Sequence, residues 1–236
     1  MRVMGIDGCR AGWMVVRGTA EPGHVEVEIA LDWRAAVAAP FAKAAVDMPI
    51  GLPDSGARHC DQAARDLLGW PRMLSVFLHL RRPLLDFPDY ANANRWARTD
   101  GKGISKQAWH LLPLIAEIDR WITPARQARL CEAHPELIFR ALNNGQALVQ
   151  SKKTRAGLDK RRSLLKRAGF IDVDAWLERL QPEFRRRRAV PDDLLDAYAC
   201  CWTARRLAAG QAVHVTGRPG AVAGRDRRGL RMEICY

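Results

Sequence analysis

The clearest hydrophobic pattern lies in the first fifty residues. Residues 3–7 (V-M-G-I-D) are a short apolar run ending in an acid, Gly8-Cys9-Arg10 reads as a tight turn, and residues 12–18 (G-W-M-V-V-R-G) are a second run rich in strand formers. Pro22-Gly23 is a turn signal. Residues 24–31 then alternate strictly, with Val25, Val27, Ile29 and Leu31 on one face, the period of a half-buried strand. Turns this short predict antiparallel neighbours. Asp32 is placed to cap a short helix over 33–39. Residues 43–48 (K-A-A-V-D-M) are a fourth apolar run, which ends in Asp47 before the turn-like P-I-G-L-P. The order β-β-β-α-β predicts an α/β fold whose fourth strand, reached through a helix, returns parallel.

Farther along, an amphipathic helix is expected near 58–68, followed by irregular segments around Pro71, Pro83 and Pro88. Residues 54–103 are too long for a plain loop, so they read as an insertion or cap within a single domain spanning 1–236. Helical spacing of Ala108, Leu111, Leu112, Ile115, Ile118 and Ile122 predicts a helix over 104–122, with a kink at Pro113. Residues 129–133 read as a fifth strand, 157–169 and 174–181 as two helices, and 230–236 as an edge strand. A long helix over 191–209 has Pro191 in its first turn and Gly210 at its stop. The expected architecture is a mixed five-stranded sheet, three antiparallel strands and then parallel ones, flanked by helices and interrupted after the fourth strand.

Composition narrows the class. Of 236 residues, 48% are hydrophobic and 27% charged, which excludes disordered and fibrous chains. No stretch approaches the ~18–20 apolar residues of a membrane span, and a charge at Arg2 precedes any leader-like apolar region. A soluble cytoplasmic protein without a membrane partner is therefore expected. The net charge is 38 − 26 = +12. With 31 Arg against 7 Lys, it reflects either a polyanionic partner or simply an Arg-rich genome. The six Cys are scattered and form no C-x-x-C, so neither a zinc ribbon nor a thiol redox motif is present. Neither a G-x-x-x-x-G-K-[ST] phosphate loop nor a G-x-S-x-G elbow occurs.

Candidate chemistry rests on acids. Asp7 and Asp47 close the first and fourth strands, and ligands of α/β sheets bind outside the carboxyl ends of the strands. Two carboxylates held close raise each other's pKa unless a cation neutralises them. Asp193 and Asp196, at i and i+3 in P-D-D-L-L-D, project from one helical face, while Asp192 is expected to face water. Asp7, Asp47, Asp193 and Asp196 together make an all-oxygen set suited to Mg²⁺ or Mn²⁺; the plainer reading of Asp193 and Asp196 is helix capping. Glu132 and Glu136, in E-A-H-P-E, are further catalytic candidates, or else capping and salt-bridge acids. Arg58 and Arg65 are candidate phosphate contacts, with an intrahelical ion pair through Asp61 as the alternative, and Arg10 joins them from the turn after Asp7. The basic stretch Lys152 to Arg167 reads as a solvated helix face. Trp96, between basic residues, is the one tryptophan placed for base stacking.

These segments resemble the large prokaryotic family described as predicted RNase H-like nucleases. The resemblance is carried by G-I-D-G-C-R-A-G-W at 5–13, D-M-P-I-G-L-P at 47–53, R-H-C-D at 58–61 with Arg65, I-S-K-Q-A-W at 104–109, E-A-H-P-E at 132–136 and D-D-L-L-D-A at 192–197. It spans nearly the whole chain. It implies an RNase H-like fold and metal-dependent phosphodiester hydrolysis of nucleic acid by two ions. In RNase H-like resolvases the acids sit at the ends of the first and fourth strands and at D-x-x-D spacing on a late helix, the places of Asp7, Asp47, Asp193 and Asp196 here. Classical RNase H carries a further acid on the helix after its third strand. Neither Glu28 nor Asp32 fills that place, which speaks against cleavage of RNA–DNA hybrids. Two other classes remain open: a phosphotransferase or ATPase of the same superfold, and a non-enzymatic module that binds nucleic acid or protein.

Overall fold

The computed structural model describes residues 1–217, 220 and 222–236. In chain order its main elements are β1 (Arg2–Cys9), β2 (Gly12–Thr19), β3 (Glu26–Ala30), α1 (Trp33–Ala36), β4 (Lys43–Val46), α2 (His59–Leu68), α3 (Tyr90–Thr99), α4 (Lys106–Trp121) and α5 (Pro124–Gln127). They continue with β5 (Leu130–Glu132), α6 (Pro135–Leu142), α7 (Arg155–Arg167), α8 (Val173–Arg179), α9 (Gln181–Arg185) and α10 (Pro191–Ala208). The chain forms two units: Met1–Met48 with Arg129–Val213 and Cys235–Tyr236, and Pro49–Ala128 with His214–Ile234.

The first unit holds a five-stranded sheet in the order β3-β2-β1-β4-β5. β1–β2 and β2–β3 are antiparallel, while β1–β4 and β4–β5 are parallel. This is the mixed α/β sheet expected from the alternation pattern and the helical crossover. Asp32 caps α1 as its sequence position requires, its Oδ1 accepting from the Ala35 amide at 2.8 Å.

α10 packs across β1, β2 and β4. Gly5 makes that approach possible. A Cβ built there would lie 2.0 Å from the Cys201 amide nitrogen and 2.1 Å from the Ala197 carbonyl oxygen. The helix backbone rests directly on the strand, so the position admits no side chain. Strand residues alternate between faces, so Val3, Gly5 and Asp7 all present to α10. Behind them Phe139, Leu164, Phe170, Leu194 and Tyr198 fill the core. Asp172 ties β3 to this layer by accepting from the Val25 amide (2.8 Å) and the Tyr198 hydroxyl (3.1 Å).

The second unit carries α2 to α5 and a short antiparallel ladder pairing Gly224–Arg225 with Arg231–Met232. Residues 54–103 are part of this unit, which begins at Pro49 and runs on through α4. Asp226 anchors the ladder's turn: it accepts from the Leu52, Arg228 and Leu230 amides and pairs with Arg82. α3 is not apparent from hydrophobic periodicity, because its Y-A-N-A-N-R-W turns carry two weak helix formers, Asn92 and Asn94. What holds it is Asp89, whose carboxylate accepts from the Asn92 amide at 2.9 Å, and the buried pair Ala93 and Ala97. The expected edge strand over 230–236 is divided into Arg231–Met232 and Ile234–Cys235.

Candidate metal centre

Backbone register creates the site. Ile6 and Val46 are paired across parallel β1 and β4, and the Asp47 amide donates to the Ile6 carbonyl at 2.9 Å. Asp7 and Asp47 each follow a paired residue, so both carboxylates leave the same end and the same face of the sheet. Asp196 approaches from α10, which Gly5 holds against that face. Asp7, Asp47 and Asp196 each offer an oxygen within 4.8 Å of the others. Asp7 and Asp196 are buried, and Asp47 is half-buried.

Proximity and burial both penalise ionisation here. Burial, then Asp47, Asp196 and Asp193, holds the Asp7 carboxyl well above the ordinary carboxylate range. Burial, followed by Asp196, pushes Asp47 up to about 7. Asp193 is likewise pushed to about 7 by burial, although the Val190 amide, which it accepts at 2.9 Å, opposes the rise. Asp196 is raised by burial against the pull of Lys152. Asp193 thus combines the two roles open to it in the sequence: it caps α10 and stands beside the cluster.

Two cations complete the site, and both lie in the stretch read from sequence as solvent-facing. Lys152 Nζ donates to Asp196 Oδ2 at 2.5 Å, and Asp196 foremost drives its pKa upward. Arg161, fully buried on α7, pairs with Glu136 at 2.6 Å and donates to the Gln150 carbonyl, which fixes the loop carrying Lys152. Gly157 lets that loop fold back, since a Cβ there would lie 1.9 Å from the Ser151 carbonyl. The signal for Arg161 is present in the sequence: it shares the helical face of Leu158, Leu164 and Leu165. Lys152 sits in a loop and has no such signal. Asp192 also departs from expectation. It is only 5% exposed and pairs with Lys153 at 2.7 Å, because the loop folds over the start of α10.

The other expected site residues separate into groups. Glu136, in the first turn of α6, lies close enough to raise both Asp47 and Asp196 and is balanced by Arg161. Glu132 is buried at the end of β5, paired in register with Val46. Arg10 is exposed in the β1–β2 turn. Arg58 and Arg65 lie in the second unit. Arg58 is 1% exposed and faces Asp61 (Nε to Oδ1, 3.5 Å) and Cys60 (Nη2 to Sγ, 3.1 Å). This corrects its reading as a phosphate contact, because a buried guanidinium presents no face to a ligand in solution. Arg65 is half-buried on α2. Trp96 is half-buried, with the Arg81 guanidinium 5.2 Å from its ring centre and Phe87 at 5.7 Å. Asp32 caps α1 and Glu28 pairs with Arg17 at 2.6 Å, so neither joins the acids.

The residues fit a hard divalent cation. The donor set is entirely carboxylate. Asp196 Oδ1 is buried and has no hydrogen-bond donor among the described residues, an orphan that a cation would satisfy. Thiol chemistry does not suit the site: burial pushes the adjacent Cys9 up to about 11, which keeps it protonated at neutral pH.

Fold and site together define an α/β protein with a buried acidic centre at the carboxyl ends of two parallel strands. The chain belongs to the family described as "Protein of unknown function (DUF429)", which it matches over residues 5–221. No curated protein and no solved structure matches it significantly. No helix among the described residues is long and apolar enough to cross a membrane.

Proposed function

We propose that the chain is an RNase H-like nuclease that hydrolyses phosphodiester bonds of nucleic acid with the help of Mg²⁺ or Mn²⁺. The observation that carries this reading is the convergence of Asp7, Asp47 and Asp196 within 4.8 Å at the strand ends. The sheet order, three antiparallel strands followed by two parallel ones, supports it. Asp7, Asp47 and Asp196 hold the cation, with Asp193 alongside. A divalent ion there supplies the positive charge that phosphodiester hydrolysis demands as the attacking and leaving oxygens become more negative. Asp193 keeps α10 in position by capping its first turn. Arg161 holds Glu136 and the Lys152 loop, and Lys152 places an ammonium beside Asp196, where it offsets part of the acids' repulsion.

One observation favours a second reading. Lys152 already neutralises one of the acids, as expected of a binding module whose carboxylates serve structure. Thermal unfolding with Mg²⁺ or Mn²⁺, for the wild type and Asp7→Asn, separates the two, together with cleavage assays on single-stranded, duplex and branched DNA and on RNA. The nuclease reading expects the metal to raise the wild-type Tm by mass action, and expects both the rise and the cleavage to vanish in Asp7→Asn. An unchanged Tm with no substrate cut establishes the binding module. Turnover of nucleoside triphosphate alone establishes the phosphotransferase.

A further inference from the structure

The unit that holds the acidic centre also carries a feature of opposite sign. An open cleft of about 660 Å³ is lined by Arg10, Ala11, Leu31, Arg186, Arg187 and Arg188. All four guanidinium-bearing residues are exposed, and so is Leu31 at 70%. Two arms build the cleft: the β1–β2 turn, and the segment between α9 and α10. The Ala11 amide donates to the Arg188 carbonyl at 2.9 Å and joins them. Arg187 takes a φ of 55° as the left-handed residue that ends α9, its amide donating to the Phe184 carbonyl at 3.0 Å and the Arg188 amide to the Glu183 carbonyl at 3.1 Å. That left-handed turn folds the arginine run back so that three successive side chains line one concavity.

The charge there is only partly compensated. Glu183 serves both Arg186 (3.4 Å) and Arg188 (3.3 Å), the one carboxylate paired with them among the described residues. Four arginines against one carboxylate leave a net 4 − 1 = +3 on the cleft. Both arms are contiguous in sequence with elements that carry the acids, β1 with Asp7 and α10 with Asp193. Arg10 follows Asp7 by three residues, roughly 10 Å at ~3.3 Å per strand residue, and Arg188 precedes Asp193 by five.

We infer that this cleft grips the phosphate backbone of a nucleic-acid strand beside the acidic centre, with Arg10 and Arg187 as its principal contacts. The inference rests on the nuclease reading for its choice of nucleic acid, and deepens it by naming where the strand lies. At an axial spacing of about 3.4 Å per phosphate along one strand, the roughly 10 Å offset puts the grip about three nucleotides from the acids. Leu31 gives the same cleft an apolar wall for a sugar or base.

The test is fluorescence anisotropy with a labelled 20-nucleotide single strand and its duplex, in EDTA, across a salt series. Four proteins are compared: wild type, Arg10→Ala/Arg187→Gly, Arg10→Lys/Arg187→Lys, and the exposed α7 control Arg155→Ala/Arg167→Ala. Glycine is chosen at 187 because it suits the positive φ. Removing two phosphate contacts is expected to weaken binding about tenfold or more at 50 mM salt. The slope of log K against log salt should flatten by about 1.4 on the single strand and about 1.8 on the duplex. The lysine variant keeps the slope, and the α7 control matches wild type. An unchanged slope in Arg10→Ala/Arg187→Gly, or an equal loss in the control, overturns the inference. The measurement needs no metal. Lost binding in the cleft variant, paired with a wild type that neither binds Mn²⁺ nor cuts, therefore refutes the nuclease reading while the cleft stands.

Discussion

The acid cluster makes a quantitative prediction about Asp47→Asn. In the unfolded chain Asp47 titrates near 3.8, and in the folded, metal-free protein near 7. Between those values the folded state holds the proton more tightly than the unfolded state. The group's contribution to stability is therefore fully present below pH 4 and is lost as pH rises through 7. Asn resembles the protonated carboxyl and does not titrate, so the variant escapes this loss. Roughly three powers of ten in proton affinity, at about 1.4 kcal/mol each, set a ceiling of about 4 kcal/mol. Neighbouring acids share the repulsion and Asp47 is half-buried, so we expect about half, about 2 kcal/mol. Urea unfolding of wild type and Asp47→Asn in EDTA, from pH 4 to 9, measures it. The two proteins should match within error at pH 4, and the variant should be about 2 kcal/mol more stable at pH 8. Millimolar Mn²⁺ should reverse the order, because only wild type retains the full ligand set. A difference that does not change with pH, or a variant less stable than wild type at pH 8 without metal, refutes the electrostatic account of the site.

Gly5→Ala should destabilise the fold by about 3 kcal/mol or more, since the added methyl meets the α10 backbone rather than a side chain that can swing away; urea unfolding measures the loss. The same substitution should weaken Mn²⁺ binding by displacing Asp196, read as a smaller metal-induced rise in Tm. Arg161→Met should cost about 3–5 kcal/mol by leaving Glu136 buried without its cation, and most of that loss should be recovered in Arg161→Met/Glu136→Gln. A single mutant as stable as wild type would show that the pair adds nothing to the α6–α7 packing.

Much of this architecture is legible in the sequence because the relevant physics is local. Alternation at Val25, Val27 and Ile29 marks β3, and apolar runs ending in Asp7 and Asp47 mark strands whose carboxyl ends carry charge. The i, i+3 spacing of Asp193 and Asp196 puts both on one side of α10. What escapes is set by tertiary placement. Lys152 enters the acid cluster only because a loop folds back over Gly157, and nothing in a basic stretch distinguishes that lysine from its solvated neighbours. Arg58 looks like a ligand contact because exposure is not written in the spacing of a helix face. Asp192 at a helix start would ordinarily face solvent, and here the Lys153 loop covers it. α3 is carried by its cap and two buried alanines rather than by a hydrophobic stripe.

The register of β1 and β4 has a consequence for folding itself. Asp7 and Asp47 meet because each is the first residue beyond the Ile6–Val46 pair. Side chains alternate from face to face along a strand, so sliding β4 by a single residue would turn Asp47 away from α10 and leave Asp7 and Asp196 without their third carboxylate. The neighbouring positions Ala44, Ala45 and Val46 are small and apolar on both faces, and packing alone discriminates weakly among their alignments. A divalent cation does discriminate, because only one alignment supplies all three oxygens. The ion would thus select among strand pairings as the sheet closes, and refolding in its presence should yield a larger correctly paired fraction than refolding in chelator.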